Sequence, residues 1–230
     1  MGMGGRGEAP KVMCLFGSES GTAKRGCQKL SQKLKAQGIE VLTVAEANSA
    51  AGELANLKEK CDVLVIATSS YGEGDPPDNF ARFLLALKKA TDAGEKPLAG
   101  MQHAVLGYGA SCYETYQNVP RLTDKMLGEC GSRRMVARVE LDEGMEDDTD
   151  GKISKFENDV AKALQSRPSA DAAPVCDWKV PESKILEKSV ADLSIDGYEG
   201  GGSSIVAVGV AVVAAIAGAG YAYSAGYFGE

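Results

Sequence analysis

Val12-Met13-Cys14-Leu15-Phe16-Gly17-Ser18-Glu19-Ser20-Gly21-Thr22-Ala23 passes from an unbroken apolar run into a turn rich in glycine and hydroxyls, and then into a helical stretch. A strand that feeds a helix through such a turn gathers the unpaired amides of the helix start and the neighbouring hydroxyls around one point. The helix end adds partial positive charge there. Such a cradle holds a phosphate without lysine or metal. The pattern of nucleotide hydrolases would place Lys after the last glycine, but Thr22 and Ala23 follow Gly21, and no later carboxylate is set for magnesium. A phosphate monoester on a cofactor therefore suits Ser18, Glu19, Ser20, Gly21, Thr22 and Ala23 better than a triphosphate. Ser, Gly and Thr also serve ordinary strand-to-helix turns, so the loop takes its meaning from its surroundings.

Working outward, apolar runs at 12–16, 39–44, 63–67, 104–106 and 135–139 are each followed by a helical pattern, at 22–37, 50–59, 79–90, 118–130 and 149–164. In the last of these Ile153, Phe156, Val160 and Leu164 share one face. Five successive βα units predict an α/β fold, a doubly wound, five-stranded parallel sheet with helices on both faces. Ligands of such sheets sit beyond the carboxyl ends of the strands, where the strand order reverses.

Three loops are expected at that edge. The first is the phosphate loop, and the second leaves the third strand as Ser70-Tyr71-Gly72-Glu73-Gly74-Asp75-Pro76-Pro77-Asp78-Asn79. The third, Gly107-Tyr108-Gly109-Ala110-Ser111-Cys112-Tyr113-Glu114, leaves the fourth strand. Tyr71 and Tyr113 can sandwich a flat ligand, each stack adding about 1 kcal/mol beyond area burial. Two rings and a phosphate site suit a planar ring with a phosphate tail, the shape of flavin mononucleotide (FMN).

Composition narrows the classes. With 230 residues and 44% hydrophobic content the chain can bury one substantial core. A net charge of −7 argues against nucleic-acid binding, which draws most of its affinity from a basic face. Six cysteines without a C-x-x-C pair read as reduced thiols. One histidine, His103, inside a predicted strand offers little to a zinc or haem site, and it is expected to be a packed residue rather than a catalytic base.

Outside the predicted sheet, residues 1–10 read as a flexible N-terminus without an apolar signal region. Residues 166–204 hold Pro168, Pro174, Pro181 and the Gly200-Gly201-Gly202 run, which predicts a tether. No charged residue lies between Gly200 and Gly229, and residues 205–228 would span about 36 Å as a helix, enough to cross a bilayer. Tyr221, Tyr223 and Tyr227 gather toward one end of it, as interfacial rings do. The expectation is a single-pass tail anchor with the body in the cytosol. Ala207, Ala211, Ala215 and Ala219 recur every four residues along it, a stripe that could seat another helix or merely make a weakly hydrophobic anchor.

Phe16 to Ala23, Tyr71 to Asn79 and Tyr113-Glu114 together resemble the FMN domain of diflavin (NADPH-haemoprotein) reductases, a flavodoxin-like family, over about residues 11–165. The resemblance implies that Ser18, Ser20 and Thr22 hold the phosphate and that Tyr71 and Tyr113 flank the isoalloxazine. Gly72 would offer its carbonyl to the reduced flavin, with Ser70, Glu73 and Gly109 near the ring and Asp142 or Glu143 by the ring or ribityl chain. Ala110 departs from the pattern, since relatives often place Asn there. Diflavin reductases continue into an FAD and NADPH module, where this sequence proceeds into the predicted tether and anchor.

The function implied is a membrane-anchored flavoprotein that relays electrons from a separate NAD(P)H-dependent flavoprotein reductase to a membrane-associated acceptor, with no catalytic acid or base. The alternative is a structural or assembly subunit of a membrane complex that keeps the fold without essential redox chemistry. The endoplasmic reticulum is the first expectation for the membrane, with the outer mitochondrial and chloroplast membranes as alternatives. Glu73, Asp75, Asp78, Glu114 and the acidic residues from Asp142 to Asp150 are expected either to steer a basic redox partner or to act as a solvated surface.

Overall fold

Strand β1 (Val12–Phe16) lies in the middle of a parallel sheet because nearly every residue in it is apolar, and a parallel sheet buries both faces of its strands. A computed structural model of the chain describes residues 9–70, 72, 74–145 and 148–166. The expected anchor with its alanine stripe, the expected tether beyond Ser166, most of the expected flexible N-terminus, Tyr71, Glu73, Glu146 and Asp147 lie outside the described residues. Among the described residues no helix is long and apolar enough to cross a membrane.

The chain continues through α1 (Thr22–Ala36), β2 (Val41–Glu46), a 3-10 helix (Ala47–Asn56), α2 (Leu57–Lys60) and β3 (Val63–Ser69). It then forms α3 (Ala81–Asp92), β4 (Gln102–Tyr108), α4 (Asn118–Glu129), β5 (Arg133–Arg134), β6 (Val139–Glu140) and α5 (Thr149–Ser166). The strands lie in the order β2-β1-β3-β4-β5, all parallel, with β6 also pairing with β4. This is the doubly wound sheet expected from the sequence, its order reversing between β1 and β3.

Register puts the chemistry at one edge. Phe16 pairs with Ala67, and Ser69 with Tyr108, so β1, β3 and β4 deliver their following loops side by side at the carboxyl ends. Strands sit about 4.8 Å apart, which brings neighbouring loops within side-chain reach. Helix α1 buries Ala23, Cys27, Leu30, Ser31 and Leu34, a stripe at helical spacing, and α5 buries Phe156, Val160, Ala161 and Leu164 in the same core layer. An ion pair of 3.0 Å between Lys33 and Glu157 ties these two helices. Helices α3 and α4 pack together, α4 against β3 and β4. A Cβ on Gly26 would lie 2.1 Å from the Tyr108 hydroxyl, so only glycine lets α1 settle this closely.

Two expected elements differ. The helix expected at 50–59 is a 3-10 segment followed by one α-helical turn, with Glu53 at φ −121 interrupting it. Asn48 holds its start against the α3 region, Oδ1 accepting the Arg82 amide at 2.9 Å and Nδ2 donating to the Asp78 carbonyl at 2.7 Å. The fifth strand, expected at 135–139, is instead two short pieces on either side of residues 135–138. Met135 and Val136 are buried as their apolarity demands, but Arg134 and Arg138 on either side of them both turn to the Asp124 carboxylate, and the ladder breaks between them. Helix α3 begins at Ala81 rather than 79, because the Asn79 side chain is spent bridging the first two loops.

Candidate functional site

Gly21 opens α1 from the left-handed region, φ +81, which only glycine enters without strain. The turn releases the first amides of the helix, none of which has an acceptor four residues back. Around them the Ser20 and Thr22 hydroxyls lie 3.1 Å apart. Ser18 is fixed from the second loop, its amide donating to Asn79 Oδ1 at 3.0 Å. Glu19 ties the first loop to the second, its carboxylate accepting the Asp78 amide at 2.9 Å. Ala23 faces the core and is almost wholly buried, so its only polar offering at the helix start is the backbone. Arg25, one turn further on, was not anticipated; its Nη2 donates to Thr22 Oγ1 at 3.1 Å.

The second loop leaves β3 at Ser70, whose Oγ accepts the Val119 amide at 3.0 Å and thereby joins β3 to the start of α4. Gly72 has φ +51, and its carbonyl, the group expected to face a flavin, accepts from Thr115 Oγ1 at 3.4 Å. Asp142, just after β6, reaches the third loop: its Oδ1 accepts the Ser111 amide at 2.9 Å, and also the Gly144 amide at 3.0 Å. Those hydrogen bonds, chiefly with Ser111, hold its carboxyl below the usual carboxylate range. The Glu143 amide donates to the Gly109 carbonyl at 2.7 Å, so the segment after β6 braces the third loop.

A cavity of about 350 Å3 opens between the second and third loops, lined by Ser70, Gly72, Gly109, Tyr113, Tyr116 and Gln117 among others. Tyr113, at the cavity mouth, is 65% exposed, which leaves its ring available to a flat ligand. The structure thus brings Ser70, Gly72, Gly109 and Tyr113 to one cavity, with Asp142 bonded to the loop that forms its wall. Tyr71 and Glu73 lie outside the described residues.

Tyr116 and Gln117 are lining residues the sequence did not reveal. Gln117 is fully buried at φ +62, and its Nε2 donates to the Leu141 carbonyl at 3.0 Å while its Oε1 is left with no hydrogen-bond partner among the described residues. That acceptor is packed against β4, 1.9 Å from where a Cβ on Gly107 would lie, and leaving it unpaired costs free energy. A signal was available in the sequence, since a polar pair just before a helix start is turn chemistry, but nothing local says that it faces inward. The residues fit a flat ring with a phosphate tail: an exposed tyrosine beside a cavity and a hydroxyl cradle share one edge of the sheet.

The other chemistry-bearing side chains sit elsewhere. His103, at the opposite end of β4, is buried between Ser132 Oγ at 2.9 Å and Asp124 Oδ1 at 3.2 Å. Arg134 and Arg138 also bind Asp124, and Arg138 and Arg121 bind Glu140. Burial pushes the His103 pKa below its ordinary value, which keeps the ring neutral against a carboxylate already matched by guanidinium groups. For Asp124 burial acts upward, but the hydrogen bonds from His103 and Arg134 outweigh it and the net shift is down. His103 is therefore the packed residue that the sequence implied. Cys14, Cys27, Cys61 and Cys130 are buried free thiols, burial pushing Cys14 up to about 12 and Cys61 to about 11. Among the described residues no group of His, Cys, Asp and Glu is placed to hold a metal.

Residues 14–156 match the flavodoxin family. The chain is 34% identical over 147 residues to methionine synthase reductase of Caenorhabditis elegans, covering 63% of this chain and 21% of that protein. It is 33% identical over 135 residues to an NADPH–cytochrome P450 reductase of Candida tropicalis, 58% of this chain and 19% of that one. A third relative, the flavoprotein alpha-component of an NADPH sulfite reductase from Vibrio vulnificus, is 33% identical over 136 residues, 58% of this chain and 21% of its own. The chain thus spans about a fifth of the length of these curated relatives. Among solved structures, a point mutant of flavodoxin from Pseudomonas aeruginosa superposes with a TM-score of 0.56 at 25% identity, covering 67% of this chain and 99% of that one.

Proposed function

We propose, from the premise that this chain belongs to the flavodoxin family, that it is an FMN-binding electron carrier working at a membrane between a reductase and an acceptor. FMN is the cofactor of the flavodoxin-like domain. When bound it supplies one-electron and two-electron redox chemistry that no side chain offers.

The chain's own residues divide that work. Ser18, Ser20, Thr22 and the amides after Gly21 take the phosphate end, where the α1 terminus favours negative charge. Tyr113 covers one side of the ring and keeps water from it, and Tyr71 is assigned the other side. Gln117, held by its hydrogen bond to the Leu141 carbonyl, forms part of the wall behind the ring. Asp142 stays ionised, shaping the third loop through two amides rather than moving a proton. Carboxylates near the ring, Asp142 and Glu143 among them, disfavour added negative charge and so make the bound cofactor a stronger donor.

The observation that carries this reading is a cavity between the loops that leave β3 and β4, at the same carboxyl edge of the sheet to which β1 delivers the hydroxyl-rich turn, all within the family-matched segment. The relatives named as NADPH-dependent reductases support a NAD(P)H-dependent flavoprotein as the electron source. The uncharged apolar run at 205–228 supports membrane attachment, which raises the chance of encounter with a membrane-bound acceptor. Acidic side chains around the site, including Asp75, Asp78 and Glu114, would speed docking of a basic partner surface.

Purification of the full chain in detergent, followed by its visible spectrum with and without added FMN, tests the cofactor. Flavin bands that stay with the protein through gel filtration are expected; a colourless protein after incubation with FMN would overturn the reading. Flotation with liposomes tests attachment, the full chain rising with the lipid and a chain lacking residues 205–228 staying behind.

A further inference from the structure

We propose that Arg25 is a further cofactor-contacting residue, a guanidinium that closes over the phosphate end of the FMN and makes this site discriminate FMN from riboflavin; the proposal rests on the FMN reading above. Arg25 is the fourth residue of α1, and side chains on a helix lean back toward its start. Here the lean carries the guanidinium onto the phosphate loop. Nη2 donates to Thr22 Oγ1 at 3.1 Å, and Nη1 lies 3.4 Å from the place a Cβ would occupy on Gly21. Glycine at position 21 supplies the left-handed turn, and the guanidinium lies over it at van der Waals distance.

Its company distinguishes Arg25 from the paired arginines of the fold. Arg121, Arg134 and Arg138 are bound to Glu140 and Asp124. Arg25 is exposed and, among the described residues, has no carboxylate partner, although the chain carries a net charge of −7. The adjacent Lys24 points elsewhere, its ammonium 5.8 Å from the centroid of the Phe16 ring. A full positive charge is thus held against a neutral hydroxyl at the mouth of an amide-lined turn, with most of its five N–H donors uncommitted.

That arrangement suits a phosphate monoester, which carries close to two negative charges at neutral pH and accepts the parallel donors of a guanidinium. Thr22 gains as well. Its Oγ1 accepts from Arg25 and shares a hydrogen bond with Ser20 Oγ, and its proton can turn to a phosphate oxygen when one enters. Riboflavin has the same ring and ribityl chain but no phosphate, so it can use the cavity but not Arg25.

The test compares FMN and riboflavin titrations of the flavin-stripped full chain, followed by flavin fluorescence, for the wild type, Arg25→Gln and Arg25→Lys. Measurements at about 0.05 M and about 0.5 M salt separate screened charge from packing. In Arg25→Gln the FMN Kd is expected to rise about tenfold, a charge-assisted hydrogen bond discounted for exposure, while that for riboflavin moves less than about twofold. Arg25→Lys should recover part of the loss, and the salt dependence of FMN binding should shrink in Arg25→Gln. Unchanged FMN affinity in Arg25→Gln would overturn the role of Arg25 and leave the cofactor reading standing. Equal weakening of FMN and riboflavin would make Arg25 merely structural and overturn the proposal too. If the wild type bound neither flavin, the cofactor reading itself would fall.

Discussion

Tyr113 and His103 illustrate opposite ways in which one residue acquires meaning. Tyr113 lies at the cavity with most of its ring in solvent, a position that leaves it available to a flat ligand. Replacing it by Ala removes one stack, worth about 1 kcal/mol, so FMN should bind about five- to tenfold more weakly by fluorescence titration while the thermal midpoint of the flavin-free protein stays put. An unchanged FMN Kd would take Tyr113 out of the site. His103 is buried among Asp124, Ser132 and Arg134, and burial holds its pKa below the ordinary 6.5. A folded-state pKa lower than the unfolded one favours the neutral ring in the native state. Its stabilisation is complete above pH 6.5 and is lost as pH falls toward the native pKa. Urea melts should therefore show stability declining below about pH 6.5, and His103→Gln should flatten that limb of the profile. Asp124, also shifted down, adds its own loss only in stronger acid.

Between elements, the contact that builds the cavity wall is the approach of the α4 start to the end of β4. A Cβ on Gly107 would meet Gln117 Oε1 at 1.9 Å and Pro120 Cβ at 2.8 Å, so β4 and the turn before α4 interlock through a missing side chain. Gly107→Ala should cost about 1–3 kcal/mol in a urea melt and weaken FMN binding as well, because Gln117 cannot stay in the wall. Loss of stability without loss of affinity would show that Gln117 contributes packing alone. The 3-10 segment and the broken fifth strand belong to this scale too. The apolar pattern at 135–139 was legible and Met135 and Val136 are buried as it implied, yet Ala137 is exposed and the hydrogen-bond ladder is broken there. Arg134 and Arg138 are drawn to an aspartate on α4, a partner at least ten residues away that no local pattern reveals.

For the molecule as a whole, a ligand that binds only the folded sheet stabilises it by mass action. FMN at about a hundred times its Kd should add about 2.7 kcal/mol. In a chain of this size that is a rise of about 5–10 °C in thermal midpoint. Differential scanning fluorimetry checks it; no shift with FMN, or an equal shift with inorganic phosphate alone, would contradict a ring-and-phosphate site.

By itself the amino-acid sequence determined the alternation of apolar runs and amphipathic stretches, and with it the parallel sheet, the phosphate turn and the glycine-marked loops. Those features depend on periodicity and on backbone preferences carried by adjacent residues. Only the tertiary structure decided that Arg25 reaches back over Thr22, that Gln117 leaves an acceptor unpaired in the cavity wall and that Glu19 is occupied by Asp78. Those facts are set by side chains meeting across the ends of separate strands and along a helix face, where strand order and packing distance, not neighbouring letters, fix who touches whom.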